Sequence, residues 1–549
     1  MTAKPGRDDE LIFLPLGGAG EIGMNLSCYG YGPPDARQWL VVDCGIYFGR
    51  ETDTPGVDII MPDVRFLVEN RADLLGIVLT HAHEDHLGAV AYLWPHLKCP
   101  VYATPFTARI LANKLEERGL AEQLRVHIVP LGGSVSLGPF GVKLVTITHS
   151  IPEPNVVIIR TPLGNVVHTG DWKLDPDPLI GETTNDAKLR KLGDEGVLAL
   201  ICDSTNALVA GETGSEADVR KSLNDLIGTL KGRVAVTAFA SNLARLESIA
   251  KAGRAHGREI VLVGRSMRQM VQAARDTGYL KGFPSTIEEE ESVRLPPHRL
   301  LYLVAGSQGE PRGALSRIAA GEHPIVVFGP GDAVIFSSRI IPGNELPIFA
   351  LHNKLAERGV EVLTEQDHFV HVSGHPAKED LAQMYQWVRP RIAIPVHGEL
   401  RHMSEHARFA KTLGVKQTLI APNGNIVRLA PEPAAIVDEA PSGRLHLDGQ
   451  ILVSEGDGFA NARRALGFAG FVGVTLVLDH KGRAAADPVL HMEGIPPQAR
   501  EAIADAVARA SNGKRSGEEL KEEVRRAARR AAQDVWGKKP VVRVEIVEV

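Results

Sequence analysis

Short apolar runs separated by Gly, Pro and Asp dominate the first part of the chain. Most of these runs are rich in β-branched residues and about 4–6 residues long, a pattern typical of β-strands. Few long helical stretches separate the earliest runs, which favours a mixed sandwich over a doubly wound parallel sheet. The runs behind this prediction are 11–16, 39–42, 77–79, 126–129, 142–147, 156–159 and 197–201.

The spacing of apolar residues changes between residues 206 and 366. Strand-like runs there alternate with helical runs, which predicts a βα repeat built on a largely parallel sheet. Residues 367–429 then return to histidine-bearing turns like those of the first part, so we expect an α/β module inserted within a larger one. The alternating runs are 234–239, 243–256, 260–263, 266–277, 300–304 and 325–328.

The end of the chain predicts a small separate unit. Residues 430–449 are rich in Pro, Ala and Glu, as linkers are. Residues 541–549 alternate Val or Ile with charged residues, which is typical of a half-exposed edge strand. Such a unit can serve oligomerisation or can cap its own chain. Strands are further predicted at 451–454 and 472–478, and helices at 497–510 and 518–536.

Composition restricts the class of protein. Of the 549 residues, 44% are hydrophobic and 23% charged, as in soluble globular domains. No apolar run approaches the ~18 residues that span a bilayer, so we expect no membrane association. The formal net charge of −6 gives no global attraction for nucleic acid, so a polyanionic substrate requires local basic groups or metal ions. Four cysteines beside apolar runs, without Cys-x-x-Cys spacing, predict buried reduced thiols and a cytoplasmic protein.

Residues 80–86, Thr-His-Ala-His-Glu-Asp-His, carry three imidazoles and a carboxylate within six positions. In an extended segment His81 and His83 point the same way and can bind one ion together. Asp85 and His86 lie at the following turn and can reach a second ion. Imidazole and carboxylate without thiolate suit zinc or manganese. A histidine-rich surface turn is the alternative, but the cluster directly follows the apolar run 74–79.

Further acids and histidines end apolar runs elsewhere in the chain. Strand ends at one edge of a sheet converge, so these side chains can share one cleft. Each alone is also typical of a turn or cap residue, and the ordered set is more specific than its members. The residues are Asp43, His149, Asp171, Asp203 and His397.

This ordered set resembles the metallo-β-lactamase superfamily, with Asp43, residues 81–86, His149 and Asp171 at its four motifs. The inserted module resembles the β-CASP group of nucleic-acid nucleases. The matches to motifs A, B and C of that group are Asp203, His375 within 371–375, and His397. Within the group, the chain is most similar to the bacterial ribonuclease J family, essentially from end to end. Departures from the family pattern, none at a proposed ligand, are Glu153, Trp172 and Ala305.

The resemblance implies an α/β fold with three parts: a metallo-β-lactamase αββα sandwich, an inserted β-CASP α/β domain and a small α+β C-terminal domain. The sandwich would comprise residues 1–205 and 367–430, interrupted by the β-CASP domain at 206–366. A linker at 431–449 would lead to an oligomerisation domain at 450–549.

The resemblance also implies two divalent cations, with zinc expected first and manganese or magnesium as alternatives. His81, His83, His149 and Asp171 would hold one, and Asp85, His86, Asp171 and His397 the other. Asp43 would orient a ligand histidine from behind. The residues assigned to catalysis are Asp85, Asp203 and His375, the last to steady the phosphate or protonate the leaving oxygen.

A phosphate pocket is implied beside the cations. In the family such a pocket accepts the 5′-monophosphate of RNA about one nucleotide from the metals. Phe239 is a candidate for base stacking, and a core aromatic after a strand is its alternative. The residues assigned to RNA or phosphate are His371, Ser373, Gly374, His375, Phe239, Ser241 and Asn242.

The function implied is a metal-dependent 5′→3′ exoribonuclease that prefers 5′-monophosphate RNA and has additional endonuclease activity. It would act in rRNA and mRNA maturation and in mRNA decay. The expected partners are single-stranded RNA, further copies of the chain in a homodimer or homotetramer, and proteins of RNA decay. The alternatives are a DNA-processing β-CASP nuclease, a small-molecule hydrolase of the same fold, and a non-catalytic RNA-binding subunit.

Overall fold

Two mixed β-sheets pack against each other and form the framework that carries the predicted motifs. The structure is a computed structural model that describes residues 6–49, 53–512 and 517–549. Apolar side chains from both sheets share one buried core, with Phe13 and Tyr29 from the first sheet and Val157, Ile201 and Ile394 from the second. This is the sandwich that the short β-rich runs predict, and the expectation is confirmed.

The elements before the inserted module are β1 (Glu10–Gly17), β2 (Ala19–Gly20), β3 (Leu26–Gly32), β4 (Gln38–Val42), β5 (Tyr47–Phe48), β6 (Ile59–Pro62), α1 (Arg65–Glu69), β7 (Leu74–Val78), α2 (Glu84–Leu87), α3 (Val90–Leu97), β8 (Val101–Ala103), α4 (Pro105–Glu117), β9 (Val126–Ile128), β10 (Ser134–Leu137), β11 (Phe140–Thr146), β12 (Asn155–Thr161), β13 (Gly164–His168), α5 (Asp186–Glu195) and β14 (Ala199–Asp203). The module contains α6 (Glu216–Thr229), β15 (Val234–Thr237), α7 (Leu243–Ala255), β16 (Glu259–Val263), α8 (Arg265–Asp276), β17 (Thr286–Ile287), α9 (Glu289–Ser292), β18 (Leu300–Val304), α10 (Ala314–Ala320), β19 (Ala333–Phe336), α11 (Glu345–Glu357) and β20 (Glu361–Leu363). After it come α12 (Lys378–Val388), β21 (Ile392–Val396), β22 (Gly398–Glu399), α13 (Leu400–Thr412), β23 (Gln417–Thr418), β24 (Asn425–Ala430) and β25 (Ala435–Glu439).

Each sheet of the sandwich is antiparallel on one side and parallel on the other. The first runs β25–β24–β1–β3–β4–β7–β8–β9, with parallel pairing from β4 onward. The second runs β10–β11–β12–β13–β14–β21–β23, with parallel pairing from β13 onward. Parallel neighbours bring their carboxyl ends to one edge of the sheet, which is where the predicted site residues follow the strands.

The inserted module is a six-stranded parallel sheet in the order β17–β16–β18–β15–β19–β20. This confirms the predicted βα repeat. One strand prediction within it is wrong, because residues 325–328 form no strand and the sheet continues at β19 instead. Val326 and Phe328 are nevertheless buried in the core of the module, so their apolar character reflects packing and not ladder pairing.

The predicted linker at 431–449 is not a free connection in this structure. It contains β25, which pairs antiparallel with β24 and extends the first sheet, and a further strand at Arg444–Asp448. Ile436 and Val437 of β25 are exposed, as edge-strand residues are. An exposed edge strand lacks the buried apolar pattern that marks a strand in sequence, which is why this one resembles a linker.

A second compact unit comprises Phe48–Ile60 and Arg444–Val549. Its C-terminal strands and helices follow the predicted positions, and 541–548 is an edge strand parallel to its neighbour. Apolar residues of the two last helices and the sheet form its core, including Val474, Ile503 and Val524. The sequence gives no sign that Phe48–Ile60 belongs here. The elements are β26 (Arg444–Asp448), β27 (Ile451–Ser454), α14 (Phe459–Ala469), β28 (Phe471–Leu478), β29 (Val489–Glu493), α15 (Pro497–Ser511), α16 (Gly517–Trp536) and β30 (Val541–Glu548).

The four cysteines are free thiols and all are buried, as predicted. Among the helices described, none combines the length and the apolar character needed to cross a membrane.

A buried ion pair joins the sandwich to the start of the inserted module. Lys173 Nζ lies 2.8 Å from Asp175 Oδ2, and both side chains are fully buried. The same carboxylate accepts hydrogen bonds from Ser215 Oγ at 2.6 Å and from the backbone N–H of Glu216 at 3.0 Å. Asp175 therefore satisfies the N-terminal groups of α6 while Lys173 balances its charge.

We expect Lys173→Ala to lower the free energy of unfolding by about 3–5 kcal/mol, because it leaves the Asp175 carboxylate buried without its counter-charge. Arg190→Ala is the matched control, since Arg190 pairs with Asp186 at the surface with about half of each side chain exposed. That pair contributes about 0.3–0.5 kcal/mol. Thermal unfolding followed by calorimetry compares the two variants, and equal midpoints would contradict the assignment.

Candidate metal centre

The predicted ligands converge at the carboxyl ends of strands from both sheets. Asp43 directly follows β4, and the cluster 81–86 follows β7 and enters α2. From the second sheet, His149 follows β11, Asp171 follows β13, and Asp203 ends β14. His397 follows β21. The two sheets present these ends to one another, so residues up to about 350 positions apart in the chain share one buried cleft.

The first group of candidate ligands contains three histidines and a carboxylate. His83 Nδ1 lies 3.0 Å from His81 Nε2 and 3.0 Å from His149 Nε2. Asp171 Oδ2 is 4.0 Å from His81 Nε2 and 3.8 Å from His149 Nε2. These four residues form one of the clusters with the spacing to hold an ion.

The second group contains two carboxylates and two histidines. Asp171 Oδ1 lies 3.1 Å from His86 Nε2, and Asp171 Oδ2 lies 3.3 Å from His397 Nε2. Asp85 Oδ2 is 3.6 Å from each of the same two nitrogens. Asp171 is common to both groups, so its carboxylate is placed to bridge two cations. Asp203, His375 and His397 form a third cluster of the same kind.

Hydrogen bonds fix the proton positions in the first group. Thr80 Oγ1 donates its single proton to Asp43 Oδ2 at 2.8 Å, so it must accept from His81 Nδ1 at 2.9 Å. His149 Nδ1 donates to the carbonyl oxygen of Gly374 at 2.6 Å. The Nε2 atoms of His81 and His149 are therefore unprotonated, and both point at His83 Nδ1. Three imidazole nitrogens and a carboxylate that meet at one buried point form a donor set that fits a metal ion.

The second group also fits a divalent cation. His86 Nδ1 donates to Asp43 Oδ2 at 2.7 Å, and its Nε2 faces Asp171 Oδ1 at 3.1 Å. The Asp171, Asp85 and Asp43 carboxylates raise the pKa of His86 well above its usual value against the effect of burial, so a positive charge is stabilised at this point. A carboxylate oxygen and an imidazole nitrogen held 3.1 Å apart can exchange that proton for a divalent cation.

Burial sets the protonation of the first group. It lowers the pKa of His83 to about 4, against the opposing effect of the Asp85 carboxylate. Burial likewise lowers the pKa of His81 and of His149 well below the usual value, and neighbouring histidines add to the effect. These imidazoles are thus neutral near pH 7, which is the form that binds metals.

Asp43 lies behind the ligands and orients two of them. Its buried carboxylate accepts from His86 Nδ1, from Thr80 Oγ1 and from the Thr80 backbone N–H at 2.7 Å. Its backbone has a φ of +65°, in the left-handed region that costs energy for a residue with a side chain. The geometry matches the orienting role that the sequence suggests for Asp43.

Asp203 and His375 form a hydrogen-bonded pair at the edge of the cluster. His375 Nδ1 lies 2.8 Å from Asp203 Oδ2 and 3.8 Å from Asp171 Oδ2. Burial opposes the charge on the imidazole, but the Asp203 and Asp171 carboxylates outweigh it and raise the pKa of His375 to about 9. The proton on Nδ1 is committed to Asp203, which leaves Nε2 as the group that can act on a substrate.

The predicted phosphate loop contacts the first ligand group directly. A Cβ atom on Gly374 would lie 2.7 Å from the His149 ring, so the close approach requires glycine. Ser373 Oγ accepts from Asn206 Nδ2 at 2.8 Å and keeps its own proton free to donate. Burial, followed by the charge of Arg245, lowers the pKa of His371 to about 3, so His371 is a neutral donor and not a cation.

The inserted module contributes Ser241, whose Oγ lies 3.0 Å from His83 Nε2. Phe239 is half-buried, so neither base stacking nor a core position is excluded for it. Asn242 is buried, and its amide accepts from the Arg245 backbone N–H and donates to Glu216 Oε1. The expectation that Asn242 contacts RNA is therefore corrected: it caps α7, because both of its polar atoms are used within the protein.

Sequence reasoning missed two residues at this site. Thr80 links Asp43 to His81, because its hydroxyl forms a hydrogen bond with each of them. Asn25 donates its side-chain amide to the Asp85 carbonyl oxygen at 3.1 Å and lies 3.0 Å from His86 Nε2. Neither residue is a histidine or an acid, so a search for the spacing of metal ligands passes over both.

Comparisons with known proteins identify the families to which the chain is similar. Four family models match: the metallo-beta-lactamase superfamily at 28–228, the beta-CASP domain of ribonuclease J at 231–355, the RNA specificity domain of Zn-dependent metallo-hydrolases at 359–421, and the ribonuclease J C-terminal domain at 460–549.

Curated relatives are similar over almost the whole chain. Ribonuclease J of Sinorhizobium meliloti is 46% identical, and the alignment covers 99% of this chain and 98% of that protein. Ribonuclease J of Thermus thermophilus is 38% identical over 89% of this chain and 85% of its own length. Among solved structures, a protein of unknown function from Enterococcus faecalis V583 matches with a TM-score of 0.54 at 16% identity. That match covers 76% of this chain and all of the other, and it supports the fold alone.

We expect the protein to bind about two divalent cations per chain, as two-metal hydrolases do. Asp171→Asn should weaken both, because its carboxylate belongs to both groups, whereas His397→Ala should weaken one. His127→Ala should weaken neither, because it removes an exposed imidazole of β9 that belongs to neither group. Elemental analysis and competition with a chelator measure the result, and two retained cations in Asp171→Asn would contradict the bridging position.

Proposed function

Because the chain belongs to the ribonuclease J family of metal-dependent ribonucleases in the β-CASP group, we propose that it removes nucleotides one at a time from the 5′ end of RNA. The preferred substrate would be single-stranded RNA with a 5′-monophosphate. Hydrolysis of RNA phosphodiesters and RNA binding follow from the family, while the direction and the end preference are the proposal.

One contact carries the proposal most directly. The Gly374 carbonyl oxygen of the phosphate loop accepts a hydrogen bond from His149 Nδ1 at 2.6 Å, so this loop adjoins the candidate cations without an intervening residue. A 5′-phosphate bound by Ser373 and His371 would place the first phosphodiester beside the ligand groups. A short distance between end binding and hydrolysis favours release of mononucleotides over cleavage within the strand.

We assign His81, His83, His149 and Asp171 to one cation and Asp85, His86, Asp171 and His397 to the other. When bound, such cations supply a water that ionises near neutral pH and offset charge on the phosphate oxygens. Nitrogen and carboxylate donors favour zinc, with manganese or magnesium as alternatives.

The side chains of the protein supply orientation and proton transfer. Asp43 holds the rings of His81 and His86, the former through Thr80, so their Nε2 atoms face the cleft. Asp203 fixes His375 through Nδ1, and Nε2 is left to steady the phosphate or to protonate the leaving 3′ oxygen. Asp85 has 31% of its side chain exposed, which gives this proposed catalytic carboxylate access to substrate.

Membership of a ribonuclease family argues against the alternative of a small-molecule hydrolase. The complete ligand groups argue against a non-catalytic subunit. Choice of RNA over DNA requires a group that senses the 2′-hydroxyl, and a DNA substrate remains the competing proposal. Endonuclease activity, maturation of rRNA and mRNA, mRNA decay, protein partners in decay and a cytoplasmic location are further proposals. Four buried reduced thiols support the last.

A time course on RNA labelled at its 5′ end tests direction and end recognition together. With a 5′-monophosphate we expect labelled mononucleotide from the earliest time point, and much slower release from 5′-triphosphate or 5′-hydroxyl RNA. His81→Ala combined with His83→Ala should abolish all products, because it removes two proposed ligands. Labelled oligonucleotides as the first products would refute the exonucleolytic assignment, and equal rates on DNA would favour the competing substrate.

Ser373→Ala combined with His371→Ala should lower kcat/KM on monophosphate RNA by about 10–100-fold, the effect of losing hydrogen bonds to a charged group. Turnover of 5′-hydroxyl RNA should change little, since that end has no phosphate for the loop to bind. Steady-state kinetics on the two substrates gives the ratio. An equal loss on both ends would place these residues outside the phosphate pocket.

We propose that the C-terminal unit forms a homodimer or homotetramer through its edge strands, β29 and β30. Val489 and Val547 on these strands are exposed by 62% and 47%, which is unusual for Val in a strand that stays unpaired. Light scattering should give a multiple of 59.2 kDa for the full chain, and Val489→Lys or Val547→Lys should reduce it. An unchanged mass in both variants would support the alternative, an intramolecular cap.

A further inference from the structure

The inserted module and the loop that follows it orient the first ligand group but not the second. His83 Nε2 is held by Ser241 Oγ, and His149 Nδ1 by the Gly374 carbonyl oxygen. In the second group, His86 is held by Asp43 of the sandwich. The ligands of the first group all precede the inserted module in the chain. Two of its three histidines are nevertheless oriented by atoms of the module or of the loop after it.

One buried guanidinium joins the two orienting segments. Arg245 is 1% exposed, and its Nη1 donates to the Val370 carbonyl oxygen at 3.0 Å, at the start of the phosphate loop. Its backbone N–H donates at 3.0 Å to Asn242 Oδ1, in the residue next to Ser241. The loop that carries Gly374 is thus bound by the Arg245 guanidinium, and the turn that carries Ser241 is bound by the Arg245 backbone and, through Glu216, by the guanidinium.

Every nitrogen of this guanidinium is used. Nε and Nη2 donate to the two carboxylate oxygens of Glu216 at 3.0 and 2.8 Å, and Nη1 also donates to the Ser337 carbonyl oxygen at 2.9 Å. Arg245 and Asn242 together hold Glu216, and the charge of Arg245, followed by its hydrogen bonds, lowers the pKa of Glu216 to about 2 against the effect of burial. A planar fork that binds a carboxylate on one edge and carbonyl oxygens on the other cannot be reproduced by lysine.

We propose that Arg245 is a positioning residue for the first cation: it sets Ser241 and the 370–374 loop so that His83 Nδ1 and His149 Nε2 face one point. This inference rests on the proposed cation sites. It assigns to the inserted module, beyond substrate binding, control of the affinity of one cation and not of the other. Orienting partners behind metal ligands typically contribute 10–100-fold in metal affinity.

The experiment is a titration of metal-free protein with Zn²⁺ in competition with a chelator, which resolves two binding steps. His397→Ala removes a ligand of the second group only and so identifies which step belongs to which group. We expect Arg245→Lys to weaken the first-group step by about 10–100-fold and to leave the other unchanged. The absorption spectrum of the Co²⁺-loaded protein should change at the same site, independently of turnover.

Arg258→Lys is the matched control. Arg258 is an equally buried arginine of the same module, and it binds the carbonyl oxygens of Gly232, Leu230 and Leu300, away from the histidines. It should lower stability while both Zn²⁺ steps stay as in the wild type. The proposal is overturned if Arg258→Lys reproduces the effect of Arg245→Lys, or if Arg245→Lys weakens both steps equally or neither.

Ser241 provides a test that does not depend on the folding of the Arg245 variant. Ser241→Ala removes the partner of His83 Nε2 from a half-exposed position and should weaken the first-group step, while Ser241→Thr keeps a hydroxyl and should restore it. Equal affinities in the two variants would overturn the inference. A wild-type protein that binds no Zn²⁺ would instead refute the cation sites themselves, so the two failures are distinguishable.

Discussion

The crowding of imidazole nitrogens around the Asp171 carboxylate is the constraint on which the rest of the site depends. Three nitrogens of the first group lie about 3 Å from their neighbours, and a carboxylate oxygen faces a fourth nitrogen at 3.1 Å. Without positive charge this arrangement is strongly unfavourable in a buried site. The surrounding hydrogen bonds make it permanent, since Asp43 and Gly374 hold the opposite ring nitrogens. The fold therefore holds these side chains in an arrangement that is stable only when positive charge occupies the cleft.

Substrate recognition and the metal groups are built from the same short segments. Residues 371–375 provide the proposed phosphate donors, the carbonyl oxygen that orients His149, and His375 itself. The turn at 239–242 provides Ser241 beside His83 and Phe239 at the surface. A 5′ end bound here would touch the groups that determine ligand geometry. In the proposed binding mode, the segments that would select the end of the polymer are also the segments that orient the candidate metal ligands.

Arginines illustrate why charge alone is a poor guide to nucleic-acid contacts. The inserted module contains many, and a basic path for RNA is a natural first hypothesis. In the structure Arg258 binds three backbone carbonyl oxygens in the interior, and Arg254 pairs with Glu259. Arg245 joins segments around a buried glutamate. These side chains stabilise the module and position its loops, because each already binds carboxylate or carbonyl oxygens within the protein.

The sequence by itself determined the kind of elements, the order of the modules and the identity of the donor residues, because periodicity, residue type and spacing are local properties. Its errors, at 325–328 and in the linker at 431–449, fall where burial or edge exposure hides ladder pairing. Only the tertiary structure decided which ring nitrogen of each histidine faces the cleft, that Asn242 caps a helix, and that Arg245 joins two distant segments. It alone brought Phe48–Ile60 together with the C-terminal residues. Hydrogen-bond partners and protonation depend on atoms that are hundreds of residues apart in the chain and come together only in the folded structure, so no local sequence pattern can predict them.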